Sequence, residues 1–258
     1  MAFVKFNMPD PSSVWKYLSP ETAQLVLEKR TLRFSPPTAL NDRRDCIGDF
    51  QGRIEECINE LNDTELYRGK THLMDRNPIE KGLRKNLRQE ANFRLLSLSL
   101  HDPRSKEAEP LWGNYASSAQ GICIEFHLPS LLGQLKNELR ACGAIAEPPA
   151  ASVPVYHGLI AYNDTPAPWP LKSDSLAVGE KKMVDLVFRK LTCWQQENEY
   201  RIVIFNDPKC SVLQAPLFTW TFPLEIIRKI YLGAYAVPEI INLLGSLPAG
   251  IPIEQNIA

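Results

Sequence analysis

The sequence lacks the features that would place a chain of 258 residues in a familiar class at once. It has no apolar run long enough to cross a bilayer, so we expect no membrane span. It has no charge excess, because the formal net charge is -1, and the whole chain offers no electrostatic attraction to nucleic acid or membranes. It also has no internal repeat and neither glycine-rich phosphate motif, which argues against a Rossmann or P-loop site.

The cysteines and histidines are not spaced as metal ligands. None of the six cysteines forms a C-x-x-C pair, and the four histidines have no partner four residues away. The cysteines are spread widely, several lie in apolar runs, and no apolar signal segment precedes them. We therefore expect reduced thiols in a cytoplasmic protein, without a disulfide framework and without a metal site.

An ordinary globular composition, 44% apolar and 23% charged, predicts a single domain spanning residues 1–258. Helices are predicted to begin at Ser19-Pro20 and Pro238 and to run from Leu128 to Leu139 and from Val178 to Trp194. Strands are predicted at Ser12–Leu18, Leu32–Ser35, Leu95–Leu100, Gly121–Phe126, Tyr200–Phe205, Leu217–Phe222 and Ile226–Leu232. Strands and helices interleave without a strict β-α-β rhythm, so we expect an α+β fold with mixed or antiparallel sheets flanked by helices.

The region from Arg68 to Arg94, which includes a predicted helix at Ile79–Leu87, carries the strongest local charge. It holds eight Lys and Arg residues against Asp75, Glu80 and Glu90. A solvated helix face explains such a region most simply. The functional alternative is a contact surface for a polyanion such as nucleic acid.

The segment WQQENEYRIVIF holds the strongest candidate for chemistry. Strand alternation would place Tyr200 and its apolar successors on one face and Glu197, Glu199 and Arg201 on the other. Two like charges side by side are unfavourable unless something binds them or water solvates them. The simpler alternative is a solvent-facing ladder in which Arg201 screens both acids.

Other polar and aromatic residues could complete such a site, although each also has a structural explanation. Ser97 and Ser99 share one strand face, opposite Leu96, Leu98 and Leu100, and a half-exposed strand explains them more simply. Tyr17 shares a face with Trp15, for which core packing is the default. The remaining candidates are Arg33, opposite Leu32 and Phe34, and the pair Trp112 and Tyr115, which could form an aromatic wall or simply core.

Taken together, several segments resemble the bacterial domain-of-unknown-function family 2971. They are WKYLS at Trp15–Ser19, LRFSPP at Leu32–Pro37, the loop at Asn41–Cys46, SLS at Ser97–Ser99, LWGNYA at Leu111–Ala116, GICIEF at Gly121–Phe126, KLTCWQQENEYRI at Lys190–Ile202 and IYLGA at Ile230–Ala234. The resemblance covers most of the chain in order. The chain departs from the family where a histidine usually precedes the G-x-C-I-E-F glycine, because Ala119-Gln120 occupies that stretch.

A second resemblance, to the ADP-ribosyltransferase fold, carries an activity. It rests on the order of a first-strand aromatic or basic residue, S-x-S on a middle strand and E-x-E before a late strand. It implies a split sheet and NAD as substrate, bound by Tyr17 or Arg33, braced by Ser97 and Ser99, and stacked on Trp112 or Tyr115. It makes Glu199 the catalytic carboxylate and Glu197 the residue that orients or activates the acceptor.

The resemblance therefore predicts an ADP-ribosyltransferase or NAD glycohydrolase that acts on a protein or nucleic acid in bacterial defence or a toxin system, with Arg68–Arg94 as a candidate contact for the acceptor. The alternative is a non-catalytic sensor of the same fold that binds a ligand or nucleic acid. A metal-dependent hydrolase built on Glu197 and Glu199 is the weakest hypothesis, because two acids without a third make a thin metal site.

Overall fold

The structure, a computed structural model, describes residues 4–6, 11–40, 42, 45–46, 54–55, 58–59, 93–141, 155–165, 167, 176–205, 218–248 and 250–255. The chain folds into two compact units. The first comprises Met1–Ser35, Arg94–Ile160 and Cys193–Ala258, and the second Pro36–Phe93 and Ala161–Thr192. Helices and a mixed sheet confirm the α+β fold class. The single-domain expectation stays a prediction.

An eight-stranded mixed sheet forms the centre of the first unit. Its strands are β1 (Val4–Phe6), β2 (Ser13–Leu18), β4 (Phe93–Ser99), β5 (Ile122–His127), β6 (Val155–Leu159), β9 (Glu199–Phe205), β11 (Ile227–Leu232) and β12 (Ile253–Gln255). They lie in the order β1-β6-β9-β4-β2-β5-β11-β12. The two outermost pairings, β1 with β6 and β11 with β12, are parallel, whereas β2–β4, β2–β5, β5–β11 and β6–β9 are antiparallel.

One face of this sheet carries the main hydrophobic core. Alternate residues of the inner strands point into it, such as Leu96 and Leu98 of β4 and Ile202 and Ile204 of β9. The core also contains residues of three helices and of a two-stranded pair. These elements are α1 (Pro20–Lys29), α3 (Leu128–Ala141), α5 (Pro238–Gly245), β3 (Thr31–Phe34) and β10 (Phe218–Thr221).

The local sequence explains where α1 begins and ends. The Ser19 hydroxyl accepts a hydrogen bond from the Thr22 amide at 3.3 Å, and Pro20 occupies the first turn, where no amide proton is needed. Arg30 closes the helix in the left-handed conformation, with φ 53°, and its amide donates to the Val26 carbonyl. This confirms the predicted helix start.

The opposite face of the sheet packs against α2 (Glu109–Tyr115). A smaller cluster there joins Tyr17 of β2, Cys123 of β5 and Tyr231 of β11 to Leu111 and Trp112 of the helix. The sheet is therefore covered on both faces within this unit, and the second face is rich in aromatic side chains.

The second unit contains a parallel pair, β7 (Ala161–Tyr162) and β8 (Arg189–Lys190), and the helix α4 (Leu176–Val187). Both Asp164 carboxylate oxygens accept hydrogen bonds from Thr192, at 3.0 Å from its amide and 2.6 Å from its hydroxyl. The sequence predicted one helix from Val178 to Trp194. That prediction is wrong beyond Val187, because β8 and a 3₁₀ helix (Thr192–Glu197) take up the rest.

The other predicted strands match β2, β3, β4, β5, β9, β10 and β11 to within a few residues. Strand β6 was not predicted. The helix at Ile79–Leu87 and the basic region Arg68–Arg94, apart from its last two residues, lie outside the described residues. No helix in the described ranges is both long enough and apolar enough to cross a membrane.

We predict that Gly121→Ala destabilises the protein strongly. A Cβ at Gly121 would lie 2.0 Å from the Leu18 carbonyl oxygen, so the junction of β2 and β5 would have to shift. The loss should reach about 3 kcal/mol, the upper end for overpacking. Gly113→Ala is the control, since its Cβ meets nothing within 4 Å and alanine favours a helix. Urea unfolding would measure both, and equal stabilities would contradict the prediction.

Candidate functional site

A buried ion pair stands at the start of β9. Arg201 Nε donates to Glu199 Oε1 at 2.7 Å, and its Nη2 donates to Oε2 at 3.0 Å. The two residues lie two positions apart, so their side chains leave the same face of the strand. Glu199 is 3% exposed and Arg201 0% exposed. Such a two-point contact fixes the carboxylate in both position and orientation.

Glu197 does not lie on this strand face, so the prediction of three aligned side chains is wrong for this residue. It closes the 3₁₀ helix Thr192–Glu197, and Asn198 follows with φ 42°, which breaks the alternation before β9 begins. The alternative of a solvent-facing ladder is also wrong, because Glu197 is only 7% exposed. The two acids therefore have separate supports, one in the sheet and one in a turn.

Hydrogen bonds from β4 and α2 hold the Glu197 turn in place. The Ser99 hydroxyl donates to the Glu197 carbonyl at 2.9 Å, and the Leu100 amide donates to the Asn198 carbonyl at 3.0 Å. The Tyr115 phenol donates to Glu197 Oε1. Backbone and carboxylate of this residue are thus both restrained.

The predicted aromatic residues meet in the cluster on this face of the sheet. The Tyr17 and Trp112 rings lie edge to face, 5.3 Å apart. Both are buried, and their polar atoms donate to backbone carbonyls, Tyr17 to His101 at 3.0 Å and Trp112 to Pro103 at 2.9 Å. Burial, above all, raises the pKa of Tyr17, so its phenol stays protonated. The Tyr17 and Trp112 rings are therefore part of the smaller hydrophobic cluster, and Tyr115 packs against that cluster and is half-buried.

Lys16 belongs to the site although the sequence did not point to it. Its Nζ donates to the Ser97 carbonyl at 2.7 Å. Burial lowers the pKa of Lys16, and the charges of Glu199 and Glu197 oppose that shift. The Lys16 ammonium therefore interacts electrostatically with both carboxylates. The sequence feature that could have identified Lys16 is its position between Val14 and Leu18, on the strand face that alternation assigns to the core.

The structure brings most of the predicted residues together, but not all of them. Hydrogen bonds or ring contacts involve Ser99, Glu197, Tyr115, Tyr17 and Trp112. Ser97 takes part through its carbonyl. Arg33 is exposed on β3, and within the described part of the chain no hydrogen bond or ion pair joins it to Glu197 or Glu199.

No family model, curated protein or solved structure matches this chain. Among the described residues, no group of three His, Cys, Asp or Glu side chains could hold a metal ion. The chemistry that the site can perform depends on the carboxylates of Glu197 and Glu199. Each can accept a hydrogen bond from a hydroxyl or water, and each can stabilise positive charge that develops on a bound molecule.

We predict that Arg201→Met lowers the free energy of unfolding by about 3–5 kcal/mol, because it leaves the Glu199 carboxylate buried without its cation. The double variant Arg201→Met/Glu199→Leu should recover most of that loss, since neither member of the pair then leaves an uncompensated charge in the sheet. Lys229→Met is the control, since its 2.7 Å pair with Glu254 is partly exposed, with side chains 29% and 37% exposed, and should contribute less than about 1 kcal/mol. A double variant as unstable as Arg201→Met would contradict this explanation.

We also predict that Lys16 makes the protein more stable as the pH rises. Its pKa is lower in the folded state, so between that value and the ordinary lysine pKa the unfolded chain binds more protons. In that window the free energy of unfolding increases with pH. Lys16→Met should remove this increase, whereas Lys29→Met, at an exposed helical position, should keep it. Denaturant unfolding across the alkaline range is the measurement, and parallel profiles for wild type and Lys16→Met would refute the prediction.

Proposed function

We propose that this chain is an NAD-consuming enzyme of the ADP-ribosyltransferase type. It would break the bond between nicotinamide and ribose and pass ADP-ribose to an acceptor. The observation that carries the proposal is the buried Glu199 carboxylate, fixed by Arg201 through two hydrogen bonds, with Glu197 restrained beside it in the chain. These are the two acids to which the resemblance to that fold assigns the chemistry.

The reaction suits a carboxylate held in this way. Cleavage of the glycosidic bond passes through an oxocarbenium-like state, in which positive charge develops on the ribose. In this proposal the Glu199 carboxylate would accept a hydrogen bond from a ribose hydroxyl. A hydrogen bond from that hydroxyl would strengthen as the charge grows. Nicotinamide leaves as a neutral molecule, so the site needs no general acid.

The neighbouring residues take different parts in the proposal. Ser99 positions the Glu197 turn from β4, and Lys16 balances the charge of the acids. Tyr115 is the half-buried aromatic side chain next to Glu197, and Tyr17 and Trp112 support it from the core. Arg33 has no part, because it is exposed on a different sheet.

We predict that Glu199→Gln reduces nicotinamide release from NAD by at least about 100-fold, the scale of losing one preorganised electrostatic contact in a site. Free nicotinamide, measured by chromatography after incubation with NAD, is the readout. Glu239→Gln is the matched control, because Glu239 is exposed on α5. It should release nicotinamide at the wild-type rate.

Loss of folding must be separated from loss of chemistry, because Glu199→Gln leaves Arg201 buried without its anion. Circular dichroism of the variant would check the fold. The double variant Glu199→Gln/Arg201→Met removes the unpaired charge and should be folded but inactive. Nicotinamide release at the wild-type rate by either variant, or none by the wild type, would reject the proposal.

A further inference from the structure

A groove of about 510 Å³ lies between α1 and α5 in the first unit. Pockets of this volume hold small organic molecules. One wall is a polar face of α1, with Glu21, Gln24 and Glu28, and the opposite wall includes Ile240 and Leu243 of α5. None of the residues that line the groove belongs to the site around Glu197 and Glu199, so the groove is a separate candidate for ligand binding.

The lining of the groove combines carboxylates with an apolar surface. Three glutamates line it, Glu21 and Glu28 from α1 and Glu239 from α5. No lysine, arginine or histidine is among the described residues that line it. The apolar surface comes from α5 and the residue before that helix, namely Val237, Ile240 and Leu243. A ligand that complements both features carries positive charges on an apolar body.

The spacing of the carboxylates on α1 indicates how far apart those positive charges should lie. Glu21 and Glu28 are separated by two helical turns, about 10.5 Å along the axis, and leave the same face of the helix. Carboxylates this far apart favour two separate cationic groups over one divalent metal ion, whose oxygen ligands lie within about 2.6 Å of it. No aromatic ring is among the described lining residues, so a quaternary ammonium would lack its usual partners.

Hydrogen bonds hold the groove in place without a ligand. Gln24 Nε2 donates to Glu28 Oε1 at 2.9 Å and restrains that carboxylate on the helix. The Val237 amide donates to the Gln120 carbonyl at 3.2 Å, which joins the start of α5 to the segment before β5. A hydrogen bond from its own amide, above all, lowers the pKa of Glu21, so this carboxylate stays charged at neutral pH. The groove is therefore preorganised for a cation.

We propose that the groove between α1 and α5 binds a linear polyamine such as spermidine. The terminal ammonium groups would pair with Glu21 and Glu28, and the methylene chain between them would lie on Ile240 and Leu243. An extended spermidine molecule is about as long as two helical turns, so it can reach both carboxylates at once. This inference goes beyond the proposed NAD chemistry and does not depend on it, because the two sites share no residue.

Calorimetric titration of the full chain with spermidine, in the absence of NAD, is the test. We expect one molecule to bind per chain, with an affinity that falls as salt screens the carboxylates. Glu21→Gln and Glu28→Gln should each weaken binding about fivefold, which is equivalent to about 1 kcal/mol, the scale of one exposed ion pair. Both positions are exposed, so the fold should be kept, and glutamine at position 28 retains an oxygen for Gln24.

Glu109→Gln is the matched control for these two variants. Glu109 is exposed in the first turn of α2 and does not line the groove, and its replacement changes the net charge by the same amount. It should bind spermidine with the wild-type affinity. Equal weakening in all three variants would show only a general attraction to the charge of the chain and would overturn the proposal.

A comparison of two diamines tests the spacing argument. Putrescine and α,ω-diaminooctane both carry two positive charges, but only the longer molecule can reach both Glu21 and Glu28 and cover the apolar wall between the helices. We expect the longer diamine to bind at least about tenfold more tightly, a ratio equivalent to about 1.4 kcal/mol. In Glu28→Gln this advantage should shrink, because one end of the longer molecule then has no carboxylate partner. Equal affinities for the two diamines would contradict the proposed geometry.

Three further results would overturn the proposal. The first is the absence of spermidine binding by the wild type. The second is displacement of spermidine by an equal concentration of Mg²⁺, which would make the groove a site for any cation. The third is tighter binding of a trilysine amide than of spermidine, which would identify a basic protein segment as the occupant. None of these measurements uses NAD, so their failure would not bear on the proposed function.

Discussion

The pairing of Arg201 with Glu199 is the constraint around which the rest of the site is arranged. Both residues lie on β9, between β6 and β4, and the reverse face of that strand carries Tyr200, Ile202 and Ile204 in the main core. The core therefore sets where the ion pair lies. A buried pair is seldom more stabilising than apolar side chains of the same volume. The pair on β9 therefore does not need to be there for stability, which agrees with the role that we propose for the Glu199 carboxylate.

Glu197, the second acid, lies next to β9 in the sequence, but the geometry of that strand does not set its position. Glu197 precedes β9 and is turned away from strand alternation by the left-handed Asn198. Its position is set by Ser99 and Tyr115, which belong to β4 and α2. Two carboxylates close in sequence are thus fixed by different parts of the fold. Glu199 is therefore held by an internal cation, whereas Glu197 is held by a serine and a tyrosine from neighbouring elements.

The strands and helices with a strongly periodic apolar pattern could be predicted from the sequence, and so could the E-x-E segment. Both are visible in the order of neighbouring residues alone. Sequence reasoning missed β6, in which His157 and Gly158 interrupt the apolar pattern, although the His157 ring is buried and its Nδ1 lies 2.6 Å from the Tyr200 phenol oxygen. It extended alternation to Glu197 although Asn198 is a residue type that ends strands readily. It could not foresee burial of the ion pair, since that depends on which elements cover the strand.

Lys16 links β2 to β4 at the site. The described pairing between β2 and β4 has Trp15 opposite Ser99, and near it the Lys16 ammonium donates to the Ser97 carbonyl. The Ser97 carbonyl of β4 thus has a side-chain donor from β2. The same ammonium lies within the field of Glu199 and Glu197. One lysine therefore contacts the backbone of β4 and lies near both buried acids, from a face of β2 that otherwise packs as core.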